Sequence, residues 1–207
     1  MNDLLNGVTW FRGSSIRIRR AGVELHIDPW GLIESGEAHF ILLTHPHYDN
    51  FSEEDIARVR TDQTVVVAPA SMKKQLDDAD HFMRPGDLIS LDGVDILAVP
   101  AYNTDKKFHP RKNGWLGYVF TIDGVTYYHA GDTDLVASMK DIRCDIAFLP
   151  CDGRYTMGPD EAAEAARACE ARIVVPIRWG EAGSSEEDAQ RLAELISADV
   201  TILDRAG

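Results

Sequence analysis

Cysteine is scarce in this chain of 207 residues: Cys144, Cys151 and Cys169 are the only three, and their spacing pairs none of them. An odd count without a framework argues against a disulfide scaffold and predicts reduced thiols in a cytoplasm. Basic residues are also in short supply, 21 against 34 acidic ones, for a net charge of −13. That balance disfavours nucleic acid or an anionic membrane as a partner, since both call for a basic footprint. No apolar run approaches the ~20 residues of a membrane span. The opening "MNDLLNGVTWFRG" lacks the basic start and long apolar stretch of a signal peptide.

What is present fits one compact unit over residues 1–207, with 44% hydrophobic content to fill a core. Neither a repeat nor a linker interrupts it. "SSIRIRR" and "VELHID" alternate apolar and polar residues and predict strands, joined by a turn at Ala21-Gly22. "HFILLT" is a continuous apolar run, as expected of a strand covered on both faces. "SEEDIARVR" predicts a helix that Ser52 caps, with Asp55 completing a capping box. "TVVVAP" reads as a strand and "ASMKKQLDDA" as a helix. "VDILAVPA" and "GYVFTIDGVTYYHAGD" predict strands, the latter folded at Asp123-Gly124. Thereafter strands ("CDIAFLP", "ARIVVPI", "DVTILD") alternate with helices ("GPDEAAEAARACE", begun by Pro159, and "SSEEDAQRLAELIS"). An antiparallel first half followed by alternating elements predicts two packed sheets with helices on their outer faces.

Chemistry gathers at strand ends. "LLTHPHYDN" closes a strand with His45, His47, Asp49 and Asn50; "HAGDTD" brings His129 and Asp132; "VVPIRWG" brings Arg178. The loop "PAYNTDKKFHPRKNG" holds Asn103 and His109. Imidazoles two apart in an extended turn converge on one ion, and a carboxylate adds charge. Asn50 is the anomaly, because an amide is a poor metal ligand.

These motifs resemble the metallo-β-lactamase superfamily of metal-dependent hydrolases, with the branch of ascorbate-phosphate lactonase-like proteins the nearest. His45 to Asn50 aligns with His-x-His-x-Asp-His, Gly131-Asp132-Thr133 with Gly-Asp-Thr, and Pro176-Ile177-Arg178 with Pro-x-His. "YTMGPDEAAEAA" and "EEDAQRLAEL" extend the likeness from about Trp10 to Leu195.

The resemblance implies an α/β fold, the αββα sandwich of two mixed sheets. It implies a metal held by His45, His47 and Asp132, with His109 or Asn103 completing the set. Two ligands of a second metal are missing, at Asn50 and Arg178. One divalent metal, zinc or manganese, or none, is therefore expected. Asp49 would orient or deprotonate water, and Arg178 would bind the substrate anion or the developing oxyanion. Asn50, Asn103 and Tyr155 are candidate substrate contacts, the last in a stretch that packing explains equally well.

With the resemblance, the expected function is a metal-dependent hydrolase of a small anionic ester, lactone or phosphodiester; the basic run Lys106, Lys107, Arg111 and Lys112 beside His109, if it is more than a solvated loop, is expected to face the pocket and steer that anion. The competing expectation is a non-catalytic ligand-binding protein in which Arg178 locks Asp49 and Asp132. A nuclease is a weaker third expectation, against which the acidic balance speaks. His129 is expected to be structural, His26 to be solvated or to stand behind the ligands, His39 and His81 to lie at the surface, and Asp28 to stand near the metals or fix a turn before Pro29.

Overall fold

The structure, a computed structural model, describes residues 3–181 and 183–206. Two sheets pack face to face. The first runs in the order β1 (Val8–Trp10), β2 (Ile16–Arg20), β3 (Val23–Ile27), β4 (Phe40–Leu42), β5 (Val65–Pro69) and β6 (His81–Met83). The second is built outward from β7 (Leu88–Leu91) through β8 (Val94–Pro100), β9 (Leu116–Ile122), β10 (Val125–His129), β11 (Ile146–Pro150) and β12 (Ile173–Ile177) to β13 (Asp199–Val200). Helix α1 (Glu53–Val59) covers the first sheet, while α2 (Pro159–Ala168) and α3 (Glu186–Leu195) cover the second. This is the αββα sandwich, with both sheets mixed.

Period-two alternation explains the layering. In β4, Phe40 and Leu42 point into the core between the sheets, and Ile41 points out under α1. In β11, Ile146 and Phe148 point inward, whereas Ala147 and Leu149 meet α2. Four small residues of α2, Ala162, Ala163, Ala165 and Ala166, let that helix lie close to the sheet.

Several expectations need correction. The first half is not purely antiparallel: β3, β4, β5 and β6 pair in parallel. "ASMKKQLDDA" yields only a single 3₁₀ turn, Ala70–Met72; Met72, Leu76 and Ala79 keep helical spacing and pack together in the outer layer, but the chain carries them there in turns. "DVTILD" pairs over just Asp199–Val200. Ser52 does cap α1, accepting from Asp55 N at 3.2 Å, but Asp55 turns its own carboxylate to Gly31 N at 2.9 Å, so the box is not reciprocal. The short strands β1, β6 and β7 carried no pattern long enough to announce them.

At one edge the sheets are stitched together. Leu116 N donates to Thr44 O at 3.1 Å, Tyr118 Oη to Leu43 O at 2.6 Å, and Arg178 N to Gly13 O at 3.0 Å. The ends of β4, β10 and β12 meet along this seam, and the candidate site occupies it.

Candidate metal centre

His45 and His47 leave the end of β4 on a turn that Asn50 N and Phe51 N close by donating to His47 O, at 2.9 and 2.8 Å. His109 arrives from the loop after β8, where Asn103 pairs with Pro110 in an isolated bridge. One nitrogen from each of these three rings lies within 4.8 Å of the others. Trp115 packs against all three, with ring centroids 4.9 to 5.5 Å away, and gives the cluster an apolar wall.

Asp132 follows β10. Gly131 makes its approach possible: it has φ +66°, and a Cβ there would lie 2.7 Å from Leu116 O. Asp132 Oδ1 accepts from Ser14 Oγ at 3.0 Å, while Oδ2 lies 3.6 Å from His45 Nε2 and 3.3 Å from His109 Nε2.

The chain itself sets two ring tautomers. Thr44 Oγ1 donates to Asp28 at 2.5 Å and so accepts from His45 Nδ1 at 2.9 Å, leaving Nε2 as a lone pair facing the cluster. The Asn103 amide donates to Asp134 and to Tyr155 O, which leaves its oxygen to accept from His109 Nδ1 at 3.1 Å. His109 Nε2 is then a buried lone pair without a hydrogen-bond partner, 3.3 Å from Asp132 Oδ2, whose own cationic contact is Arg178 Nη1. Two acceptors facing each other carry a cost that a metal cation between them would relieve. Burial holds His45 and His47 below the usual histidine range, so both stay neutral and ready to ligate. Burial opposes the Asp132 charge, but the Arg178 guanidinium outweighs it and holds that carboxyl well below the carboxylate range. The converging nitrogens of His45, His47 and His109, with the Asp132 carboxylate beside them, form a donor set that could hold a metal ion.

Arg178 fills the neighbouring position. Its backbone is left-handed, φ 63°, a strained conformation for a residue with a Cβ. Nε donates to Asp152 Oδ2 at 3.1 Å and Nη2 to Asp49 Oδ2 at 3.1 Å. Nη1 lies 3.0 Å from Asp132 Oδ2 and 3.4 Å from Asn50 Oδ1. Burial pulls against the charge, yet the three carboxylates raise its pKa above the ordinary arginine value. Asn50 resolves the anomaly of its amide: Nδ2 donates to Asp28 Oδ2 at 2.8 Å while its oxygen faces the guanidinium. An imidazole has one donor and one acceptor in a different geometry, whereas an amide spans a carboxyl and a cation. Burial pushes Asp28 up to about 8, against the hydrogen bonds from Thr44 and Asn50.

A cavity of about 310 Å³ opens onto this cluster, lined by His47, Tyr48, Asp49, Phe108, His109, Asp132, Tyr155 and Arg178. Asn50 and Asn103, expected to touch substrate, stand behind the wall instead and brace Arg178 and His109. The basic run does not face the cavity. Lys106 turns to Asp134 at 2.7 Å, Arg111 lies over the Tyr102 ring, and the loop contributes Phe108 and His109 to the wall. His26 pairs with Glu24 away from the cluster. His129 is buried, with Nε2 donating to Ser14 O at 2.9 Å and Nδ1 accepting from Gly131 N at 3.2 Å.

Trp115, Asp152 and Ser14 escaped the sequence reading. Asp152 alone had a local signal, an acidic residue before Gly153 at a strand end: its Oδ1 accepts the backbone N–H groups of Arg154 and Tyr155 at 2.8 and 2.7 Å.

The fold and the His-x-His-x-Asp turn together define a metallo-β-lactamase-type domain. The chain belongs to the family described as the β-lactamase superfamily domain, which matches residues 7–178. It is 34% identical over 182 residues to the UPF0173 metal-dependent hydrolase of Thermococcus kodakarensis, covering 82% of this chain and 80% of that one. Its identity to the namesake from Geobacillus sp. (strain WCH70) is 31% over 209 residues, covering 91% and 92%. Among solved structures, a Parabacteroides distasonis protein assigned provisionally as a metal-dependent hydrolase superposes with TM-score 0.87 at 31% identity, over 96% of this chain and 93% of that one. Igni18, a metallo hydrolase from Ignicoccus hospitalis, shares the fold at TM-score 0.78 and 24% identity, over 97% and 95%.

Proposed function

We propose that this protein is a metal-dependent hydrolase with a one-metal site, acting on a small ester, lactone or phosphodiester. His45, His47, His109 and Asp132 would hold one zinc or manganese ion, and Arg178 with Asn50 takes the place of a second. The carrying observation is the position of the Arg178 guanidinium among Asp49, Asp132 and Asp152, beside three converging imidazoles. The names of the relatives and the lactonase-like motifs support hydrolysis. A divalent cation supplies Lewis-acid polarisation of a substrate oxygen and acidifies water.

The chain's own residues do the rest. Asp49 lines the cavity with Oδ2 fixed by Arg178, and its carboxylate is placed to accept a proton from attacking water. Arg178 pairs with Asp49 and Asp132 and offsets the repulsion between the two carboxylates. Tyr155 bounds the space left for substrate. The anionic substrate suggested by the basic loop draws no support from the wall, where Arg178 is the only Lys or Arg among the described residues. The buried thiols of Cys144, Cys151 and Cys169 accord with a cytoplasmic setting.

The complete engagement of Arg178 also favours a second reading, a ligand-binding protein without turnover. Metal content as purified, followed by assay of esters and lactones, separates the two.

Calorimetric titration with zinc and manganese tests the one-metal site on four proteins: the unmodified chain, Asn50→His, Arg178→His and the double variant. One site is expected in the unmodified chain, little gain from Asn50→His while the guanidinium stays, and a count approaching two in the double variant. Two tight sites in the unmodified chain would sink the proposal. So would a folded double variant that gains none.

A further inference from the structure

The exposed large hydrophobic residues among those described are Ile33, Tyr48, Leu88 and Phe108. Two of the four, Tyr48 and Phe108, stand on the wall of one cavity, the one over the metal cluster. Tyr48 is 80% exposed and Phe108 46%. Phe108 meets the Tyr155 ring edge-on with centroids 4.6 Å apart, and Tyr155 lines the same cavity. A pocket mouth that keeps aromatic surface in water gains free energy when a ligand covers it.

The charges point the same way. Each nitrogen of Arg178 already contacts a protein oxygen. Lys106 is turned away onto Asp134. An adjoining cleft shares Tyr48, Asp49, Tyr155 and Arg178 and runs on to Trp30, where Arg12 covers the ring at 3.8 Å and is itself held by Glu181 at 3.1 Å. Within the lining of the cavity and this cleft, Asp49, Asp132 and Asp152 balance Arg178 and a divalent cation; Arg154 lies outside that lining, over the Tyr155 ring at 5.2 Å.

From this wall we infer that the cavity selects an uncharged ester or lactone bearing an aromatic or branched aliphatic group, which the rings of Tyr48, Phe108 and Tyr155 receive. The hydrolytic part rests on the function proposed above; the apolar selectivity rests on the wall. The reacting carbonyl lies toward His47 and Asp132, and the apolar group lies outward between Phe108 and Tyr48. The cavity of about 310 Å³ sits at the small-molecule end of the usual ~300–1,000 Å³ range. Tyr155 is the most firmly placed of the three, because Asp152 fixes its backbone and the same carboxylate group holds Arg178.

Zinc-loaded protein would be tested with three probes: phenyl butyrate, its 4-carboxylated analogue, and the unreactive amide N-phenylbutanamide, the last by calorimetry. The amide should bind, and phenyl butyrate should be turned over at a kcat/KM about tenfold or more above the carboxylated ester. Phe108→Ala should weaken amide binding and raise KM for phenyl butyrate by about tenfold, the scale of one partly buried ring. Phe108→Leu should recover part of the loss. Equal or better turnover of the carboxylated ester overturns the selectivity and leaves the hydrolase standing. Amide binding that depends on Phe108 without turnover of either ester overturns the hydrolase and leaves the selectivity standing. Amide binding indifferent to Phe108→Ala, or no binding at all, overturns the inference.

Discussion

Asn50 and Arg178 sit where the superfamily motif has histidines, and their side chains touch: Asn50 Oδ1 faces Arg178 Nη1 while the opposite end of the amide grips Asp28. Replacement of one alone would strand a partner, which explains why the two occur together. The same logic ranks the cluster's imidazoles. His47 is half-buried, and its loss removes a donor without touching the core. His47→Ala is expected to abolish tight metal binding while circular dichroism stays unchanged; undiminished zinc by elemental analysis would place the metal elsewhere. Contiguity made these residues legible. His45, His47, Asp49 and Asn50 fall within six positions of one turn, and Asp132 follows a glycine that its neighbours leave no room to replace. Trp115 and Ser14 had no such signal, because each acts on residues distant in the chain.

Among elements, the loop from Asn103 to Pro110 departed furthest from expectation. Its charges suggested a surface that attracts anions, but its hydrogen bonds make it a bracket. Asp134 accepts from Asn103 Nδ2, Thr104 N and Lys106 Nζ, and through Asn103 it fixes the His109 ring. Side-chain charge is visible in a sequence, but its direction depends on a partner such as Asp134, which lies 28 residues from Lys106. Asn103→Ala frees the His109 ring and should weaken metal affinity about 10–100-fold, the usual effect of losing a ligand's support. Unchanged zinc affinity in that variant would mean the bracket is dispensable. Helix α1 was legible for a related reason: Ser52 and the apolar pair Ile56 and Val59 carry the pattern within one short stretch. The run after Ala70 has helix-forming residues and an apolar stripe of Met72, Leu76 and Ala79, yet it buries that stripe through turns, so a local pattern misled.

At the scale of the whole molecule, the alternating core of β4, β11 and β12 was readable because each strand divides its side chains between two layers. The strand order was not, since it depends on pairings that no local pattern encodes. His129 belongs to this scale. From β10 it reaches across the seam to Ser14 O, and burial lowers its pKa from 6.5 to about 4. The folded protein keeps the ring neutral, while the unfolded chain protonates it below about 6.5, so stability is full above that pH and lost as pH falls toward 4. The loss should reach roughly 3 kcal/mol. Thermal denaturation of His129→Asn should show a lower starting stability but a shallower decline over that window. Equal slopes would assign the acid sensitivity to other groups.

The seam has a further consequence. His45 and His47 belong to the first sheet, Asp132 to the second, and His109 to a loop between strands of the second. An ion gripping all four therefore works as a clasp across the sandwich, binding the folded chain and not the unfolded one. Each tenfold rise in free metal above the dissociation constant then adds about 1.4 kcal/mol of stability. Chelation should lower the melting temperature and speed cleavage by a broad protease, whereas a melting curve indifferent to chelator would deny the clasp. Through that clasp, the protein's survival in a cell would follow the supply of the metal it holds.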